Sequence, residues 1–367
     1  MKVALTGTAG FLGWHTRCAL AARGEQFVPI DRATAGDPDA LTAAVRDVDA
    51  VLHLAGVNRA EPGVLRQQNL ELATDLTAAL DRAGACPTIV YANSVQSGNA
   101  TPFGDGKQAA ADHLAAWGER SGAAVADVRL PNLFGEHGRA HYNSVVATFC
   151  HELAAGGRPE IQQDRELPLL HVQDAVDGLL AVARDPVVGE VRPAARPMAV
   201  SAVLELLGGF RDRYATGDIP DLTDPLHLAL FNTYRSFCFP QLYPIHPPLR
   251  ADNRGHLFEC VRAHGGQAQV FCSTSHPGIT RGEHFHLRKV ERFLVLSGTA
   301  EIALRRLFDD EIVRFQVSGE RPAIVDMPTM WAHRITNTGA DELLTLFWAH
   351  ELLDPQRPDT YPELVGA

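Results

Sequence analysis

Short apolar runs alternate with longer mixed runs through the first two-thirds of the chain, and the two spacings predict two kinds of element. VALTG, FVPID, DAVLHLAG and TIVYANS are short and apolar, as expected of strands buried on both faces. Between them, FLGWHTRCALAARG, PDALTAAVRD, the stretch from Glu61 to Gly84 and the run after Lys107 read as helices. Such alternation predicts a Rossmann-like, doubly wound parallel sheet covered by helices on both faces. After about Pro240 the texture changes. FPQLYPIHPPLR is a proline-rich connector, and beyond it HLFECVR, QAQVFCST, ERFLVLSG, TAEIALRRL, EIVRFQVSG, AIVDMP and LLTLFWAH read as strand upon strand. Many short strands separated by turn residues predict a β-sandwich or barrel. The expected fold is therefore α/β plus all-β, with domains at 1–245 and 246–367.

Composition narrows the function. The 367 residues are enough for two cores. Hydrophobic residues make up 46% and charged residues 21%, which is ordinary globular usage. A net charge of −11, spread along the chain, argues against nucleic acid as a partner. No apolar run approaches membrane-spanning length and MKVALTGTAG enters a strand directly, so the expected location is the cytoplasm. Cys18, Cys86, Cys150, Cys238, Cys260 and Cys272 form no CxxC pair and read as reduced core residues.

Two stretches carry candidate chemistry. Gly7, Gly10 and Gly13 form GxxGxxG between the first strand and the first helix. There a glycine turn lets the backbone approach a pyrophosphate, whose charge the helix N-terminus stabilises. Asp31, ending the second strand, would accept hydrogen bonds from an adenosine ribose, whereas neighbouring Arg32 would suit the 2′-phosphate of NADP. The residues alone leave that choice open. In GEHFHLRKVE, a period of two puts His284 and His286 on one strand face, and Glu291 opens the next apolar run. MPTMWAHRITNTG adds His333 at the edge of another strand. Three imidazoles and a carboxylate suit zinc, iron, nickel or manganese.

TGTAGFLG at 6–13, HLAG at 53–56, NS at 93–94, RLPNLFG at 129–135 and LLHVQDAVDGLL at 169–180 together resemble the extended short-chain dehydrogenase/reductases that act on nucleotide sugars. The resemblance implies a dinucleotide site formed by Gly7, Gly10, Phe11, Leu12, Gly13, Asp31, Arg32, Leu54, Ala55, Gly56 and Lys107. It also implies a catalytic serine, tyrosine and lysine. Ser94 and Lys107 match two of these, but Phe103 occupies the tyrosine position. A phenol exchanges a proton with the sugar oxygen while hydride moves, and phenylalanine has none to give. Either Ser94 or Lys107 takes over that step, directly or through a water or ribose hydroxyl, or the domain no longer reduces anything.

The β-rich part resembles the cupins, through GEHFHLRKVERFLVLSG and PTMWAHRITN, and DNRGHLFE resembles the entry strand of their deoxysugar epimerase branch. That likeness implies zinc or another divalent metal on His284, His286, Glu291 and His333, with Arg254 facing the nucleotide phosphates. Lys289, Glu301 and His256 are candidate bases. The whole chain, including LAGVNR, YNSVVATFC and DPQRPDTYPEL, is similar to the bifunctional capsular polysaccharide synthesis enzymes of the CapF type. Their chemistry implies C3 epimerisation of a UDP-2-acetamido-2,6-dideoxy-4-keto-hexose in the cupin half and NADPH-dependent reduction of its C4 ketone in the other. Asn132 and Asn143 are the further substrate-binding positions expected from it, and a homodimer is expected from the cupin likeness. Two other classes are an epimerase whose Rossmann domain only binds nucleotide, and an iron cupin oxygenase with a nucleotide-binding regulator.

Overall fold

The computed structural model describes residues 1–366. Six strands form one parallel sheet in the order Phe27–Ile30, Val3–Thr6, Ala50–His53, Thr88–Ser94, Val125–Leu130, Gly189–Val191. VALT and AVLH are buried along their whole length because helices cover both faces. Val3, Leu5, Leu52 and Val90 pack toward Val176 and Leu179 of helix Val172–Arg184. The alternate residues Ala4, Val51, Ile89 and Tyr91 pack toward helices Pro62–Ala83 and Pro102–Ser121. The expected helix after Lys107 begins earlier, at Pro102. Thr101 caps it by accepting the Gly104 N–H at 3.1 Å, and proline suits the first turn.

The β-rich part holds two antiparallel sheets. One runs Gln269–Ser275, Leu343–Ala349, Glu291–Ser297, Ile324–Met327, and the other Ile312–Ser318, Thr299–Arg306, Trp331–Asn337, Thr280–Phe285, Tyr361–Pro362. HLFECVR is not a full strand. Only Gly255–Leu257 is extended, in a small exposed hairpin with Arg250–Asp252.

The compact units do not divide at residue 246. One comprises 1–133 and 167–198, the other 134–166 and 199–367. Helices Val145–Ala154, Val200–Tyr214 and Pro225–Cys238 thus belong with the β-rich strands. Buried polar bonds hold the latter two there. Arg235 donates to the Met327 carbonyl at 2.6 Å, Tyr214 donates to Asp326 at 2.6 Å, and Arg292 pairs with Asp326 at 2.7 Å and donates to the Gly217 carbonyl at 2.8 Å. Hydrophobic periodicity is blind to such contacts. Cys18, Cys150 and Cys238 are buried as expected, whereas Cys86 and Cys272 are exposed and Cys260 is half-buried.

Candidate functional site

In the first unit the glycine loop is built by close backbone contact. Gly7 adopts a left-handed φ of +69°, and a Cβ there would lie 2.8 Å from the Ala55 nitrogen. At Gly13 a Cβ would lie 2.1 Å from the Gly7 carbonyl oxygen. The loop therefore curls tightly onto the start of helix Phe11–Ala22 and against the Leu54–Gly56 turn, leaving a cradle that fits a pyrophosphate. Phe11 opens the helix and Leu12 packs partly into the core. Asp31 is exposed and caps helix Arg32–Gly36, accepting the Thr34 N–H at 2.8 Å, which holds its carboxyl below the usual range. Arg32 is exposed beside it.

Lys107 is 5% exposed, and its ammonium donates to the Ala92 carbonyl at 2.8 Å and lies 4.6 Å over the Tyr91 ring. Burial, opposed by Asp127, pushes its pKa down to about 8. A Cβ on Gly56 would sit 3.3 Å from this nitrogen, so the lysine lies directly beneath the Leu54–Gly56 turn. Phe103 precedes Lys107 by one helical turn and is half-buried. Ser94 ends its strand half-buried, its hydroxyl accepting the Gln96 N–H at 3.2 Å. Sequence reasoning missed two supports here. Buried Asn69 holds the turn through both Val57 backbone groups at 3.0 and 3.1 Å. His53 bonds Thr6 at 3.1 Å and stacks on Tyr91, and burial followed by the Lys107 charge drives its pKa down to about 3.

In the second unit His284, His286, Glu291 and His333 converge, with one ligand atom from each within 4.8 Å of all the others. Glu291 Oε2 lies 3.1 Å from His286 Nε2, 3.3 Å from His333 Nε2 and 3.9 Å from His284 Nε2. The HxH strand is less regular than expected. A bulge falls between Gly282 and His284, Glu283 has a φ of +60°, and His286 lies just beyond the strand end. His333 sits inside strand Trp331–Asn337 rather than at its edge. Two carbonyls anchor the rings: His286 Nδ1 donates to Asp359 O at 2.5 Å and His333 Nδ1 to Trp331 O at 3.1 Å. Both Nε2 atoms are thereby turned toward Glu291, where a cation would take the place of an Nε2 proton.

That cluster fits a divalent metal. His333 Nε2 is buried without a hydrogen-bond partner among the described residues, and the donors are the nitrogen and oxygen types such ions take. Burial alone would raise the Glu291 carboxyl, but the three imidazoles outweigh it and hold it well below its usual range. Burial lowers His333 to about 4, so it stays neutral and ready to ligate.

Other expected residues lie elsewhere. Arg254 is in the exposed hairpin, paired with Asp252 at 2.6 Å. Asn132 donates to Pro168 O at 3.4 Å in the first unit, whereas Asn143 is exposed in the second. Of the candidate bases, Lys289 is committed to Pro358 O and Thr360 Oγ1. Glu301 faces away from His333, since Leu304 is the residue paired with it, and His256 is exposed on the hairpin.

A glycine cradle over a parallel sheet, with a lysine beneath it, defines a nicotinamide-dinucleotide enzyme of the extended short-chain dehydrogenase/reductase class; the imidazole–carboxylate cluster is an addition to that plan. Residues 3–193 match the NAD dependent epimerase/dehydratase family and residues 250–361 the polysaccharide biosynthesis C-terminal domain. The chain is 35% identical, over 100% of its length and 99% of the relative's, to a UDP-2-acetamido-2,6-beta-L-arabino-hexul-4-ose reductase of Pseudomonas aeruginosa. It is 30% identical to the crystal structure of the capsular polysaccharide assembling protein CapF of Staphylococcus aureus, covering 99% of this chain and all of that one with a TM-score of 0.65. An NADPH complex of RMD from Pseudomonas aeruginosa shares the fold at 23% identity and a TM-score of 0.52, over 57% of this chain and 82% of that one. The chain belongs to the NAD dependent epimerase/dehydratase family, as a CapF-type member of the extended short-chain dehydrogenase/reductases. It is a nucleotide-sugar enzyme of the reductase/epimerase type, acting in polysaccharide biosynthesis with a nicotinamide cofactor. Among the described residues no helix is long and apolar enough to cross a membrane.

Proposed function

We propose that the chain converts a UDP-2-acetamido-2,6-dideoxy-4-keto-hexose in two steps, C3 epimerisation in the β-rich half followed by C4 reduction in the first unit. The convergence of His284, His286, Glu291 and His333, in a chain alignable end to end with a hexul-4-ose reductase, carries this reading. The order follows from the chemistry. The C4 ketone acidifies the C3 proton, and reduction removes that activation.

In the β-rich half the four ligands hold a divalent ion, zinc in this reading. When bound, it polarises the ketone and stabilises the enolate oxygen. Glu291 supplies the anionic ligand, and the two imidazoles anchored by backbone carbonyls keep Nε2 directed at the same point. In the first unit NADPH supplies the hydride. The glycine loop and the helix N-terminus bind its pyrophosphate, and Arg32 binds the 2′-phosphate, since Asp31 is committed to capping a helix. Lys107 holds the cofactor ribose beneath the Leu54–Gly56 turn, and Ser94 hydrogen-bonds the C4 oxygen, which takes its proton from Ser94 or from Lys107 through a ribose hydroxyl or water as hydride reaches C4. Asn132, Asn143 and Arg254 are assigned to the nucleotide sugar. The enzyme works in the cytoplasm as a homodimer; exposed Val270 and Phe271 on the edge strand Gln269–Ser275 support pairing with a second copy.

Phe103 favours one competing reading, a metal-dependent epimerase whose Rossmann domain binds nucleotide without reducing. Incubation with UDP-4-keto-6-deoxy-N-acetylhexosamine in D₂O, with and without NADPH, separates the two. Deuterium at C3 with NADPH oxidation supports the bifunctional enzyme. Deuterium with unchanged NADPH absorbance, in both the wild type and Phe103→Tyr, supports the competitor. Absence of exchange refutes both.

A further inference from the structure

We propose that Asp359 is a positioning residue of the metal cluster: its backbone carbonyl anchors the His286 ring through Nδ1, and its carboxylate fixes the turn that follows this ligand. The inference rests on the metal reading of the four-residue cluster and adds a residue outside it. Three observations converge. The Asp359 carboxylate accepts three successive backbone N–H groups, those of Leu287, Arg288 and Lys289, at 2.9, 2.9 and 2.7 Å. These residues directly follow His286, so one side chain organises the whole exit from the ligand strand. At the same residue, the backbone oxygen accepts His286 Nδ1–H at 2.5 Å. A carbonyl accepts only, so Nδ1 carries a proton, and Nε2 is turned toward Glu291 at 3.1 Å, the position from which it would ligate a cation in place of its own proton.

Asp359 also has a left-handed φ of +43°, a conformation that a residue other than glycine keeps only where its surroundings impose it. Those surroundings are visible. Lys289 Nζ donates to Pro358 O at 2.5 Å and Thr360 Oγ1 at 3.2 Å, gripping the chain on both sides of Asp359. The strand Tyr361–Pro362 then pairs with His284 and Phe285. On the opposite side of the turn, Asn232 donates to Arg288 O at 2.7 Å. The histidine, the turn and the strap therefore form one hydrogen-bonded unit, in which Asp359 bonds both the ligand ring and the turn.

The test uses the full chain and three variants. Asp359→Asn keeps the left-handed preference but presents an amide N–H₂ to backbone donors, and Asp359→Gly keeps the backbone carbonyl without the carboxylate. Thr360→Ala, which removes a neighbouring contact and leaves Asp359 intact, is the control. Zinc affinity, measured by competition with a chromophoric chelator, is expected to fall roughly 10- to 100-fold in the Asn and Gly variants, as for other residues that orient metal ligands. The control should stay within about threefold of wild type on the same scale. The visible spectrum of the cobalt(II) forms should change in the two Asp359 variants. In zinc-loaded wild type, ¹⁵N–¹H spectra should show a His286 Nδ1–H, identified by its loss in His286→Gln, that is protected from exchange with solvent, and this protection should fall in Asp359→Asn. Wild-type affinity, spectrum and protection in both variants would overturn the proposal while leaving the metal site standing. A freely exchanging His286 Nδ1–H in zinc-loaded wild type overturns it without any variant. Failure of wild type to take up zinc or cobalt overturns the metal reading and this inference with it.

Discussion

Gly13→Ala is the sharpest test of the dinucleotide cradle, because the structure gives its cost. The added methyl would lie 2.1 Å from the Gly7 oxygen, 2.8 Å from the Gly7 carbonyl carbon and 2.9 Å from the Thr8 Cα. All three are backbone atoms, so no side chain can swing aside. The oxygen has to retreat by about 0.9 Å to reach the 3.0 Å at which Cβ contacts begin. Overpacking of this kind costs about 1–3 kcal/mol of stability. Opening the loop also withdraws backbone N–H groups from the pyrophosphate. One lost hydrogen bond to a charged group costs about 1.5–3 kcal/mol, or roughly 10- to 100-fold in Kd for NADPH. Gly10→Ala is the matched comparison. Its φ of −74° suits alanine, and its nearest contact would be 3.3 Å, so stability should change by less than about 0.5 kcal/mol. Its methyl nevertheless stands where backbone and pyrophosphate meet, and NADPH binding should weaken. Urea unfolding followed by circular dichroism gives the first quantity, and a fluorescence titration with NADPH the second. Undiminished NADPH affinity in Gly13→Ala, or equal destabilisation by the two alanines, would refute the reasoning.

Three further outcomes are expected. The Lys107 ammonium titrates at about 8 when folded against 10.5 in an unperturbed lysine. Below pH 8 both states hold the proton and the burial penalty is complete; between 8 and 10.5 the folded chain releases it first, so stability rises with pH. Relative to Lys107→Met, the wild type should gain about 3 kcal/mol across that window in urea unfolding, and a flat difference would contradict the buried-ammonium picture. Asp326→Asn removes the carboxylate that pairs with buried Arg292 and accepts from Tyr214, and should cost about 3–5 kcal/mol in the same assay. His333→Gln should lower zinc content, read by elemental analysis, and abolish C3 exchange while leaving NADPH affinity unchanged, since the residue belongs to the other compact unit.

The legible parts of this molecule are those encoded over short distances. The glycine loop was readable because its spacing and its place at the first strand–helix junction both follow from a single turn, and the end of helix Pro62–Ala83 was readable because Gly84 takes the left-handed conformation that closes it. The imidazole pair was readable as HxH, although the bulge that aims it was not. What escaped depends on partners far away in sequence. Nothing around Asp359 announces a bond to a turn 72 residues earlier. Likewise, helix Pro225–Cys238 reads as part of the α/β region until Arg235 is seen reaching the Met327 carbonyl. The pairing of Arg254 with Asp252, two residues away in an exposed hairpin, is also invisible to a motif reading. HLFECVR, apolar enough to read as a strand, is extended only to Leu257, where its pairing with Arg250 ends.

The strap around Asp359 also makes the ligand strand depend on a segment far along the chain. The residue that holds the His286 ring lies 73 positions away from it, whereas His333 is anchored by Trp331, two positions away in its own strand. In the proposed metal reading, unfastening residues 359–362 would therefore loosen His286 and leave His333 in place.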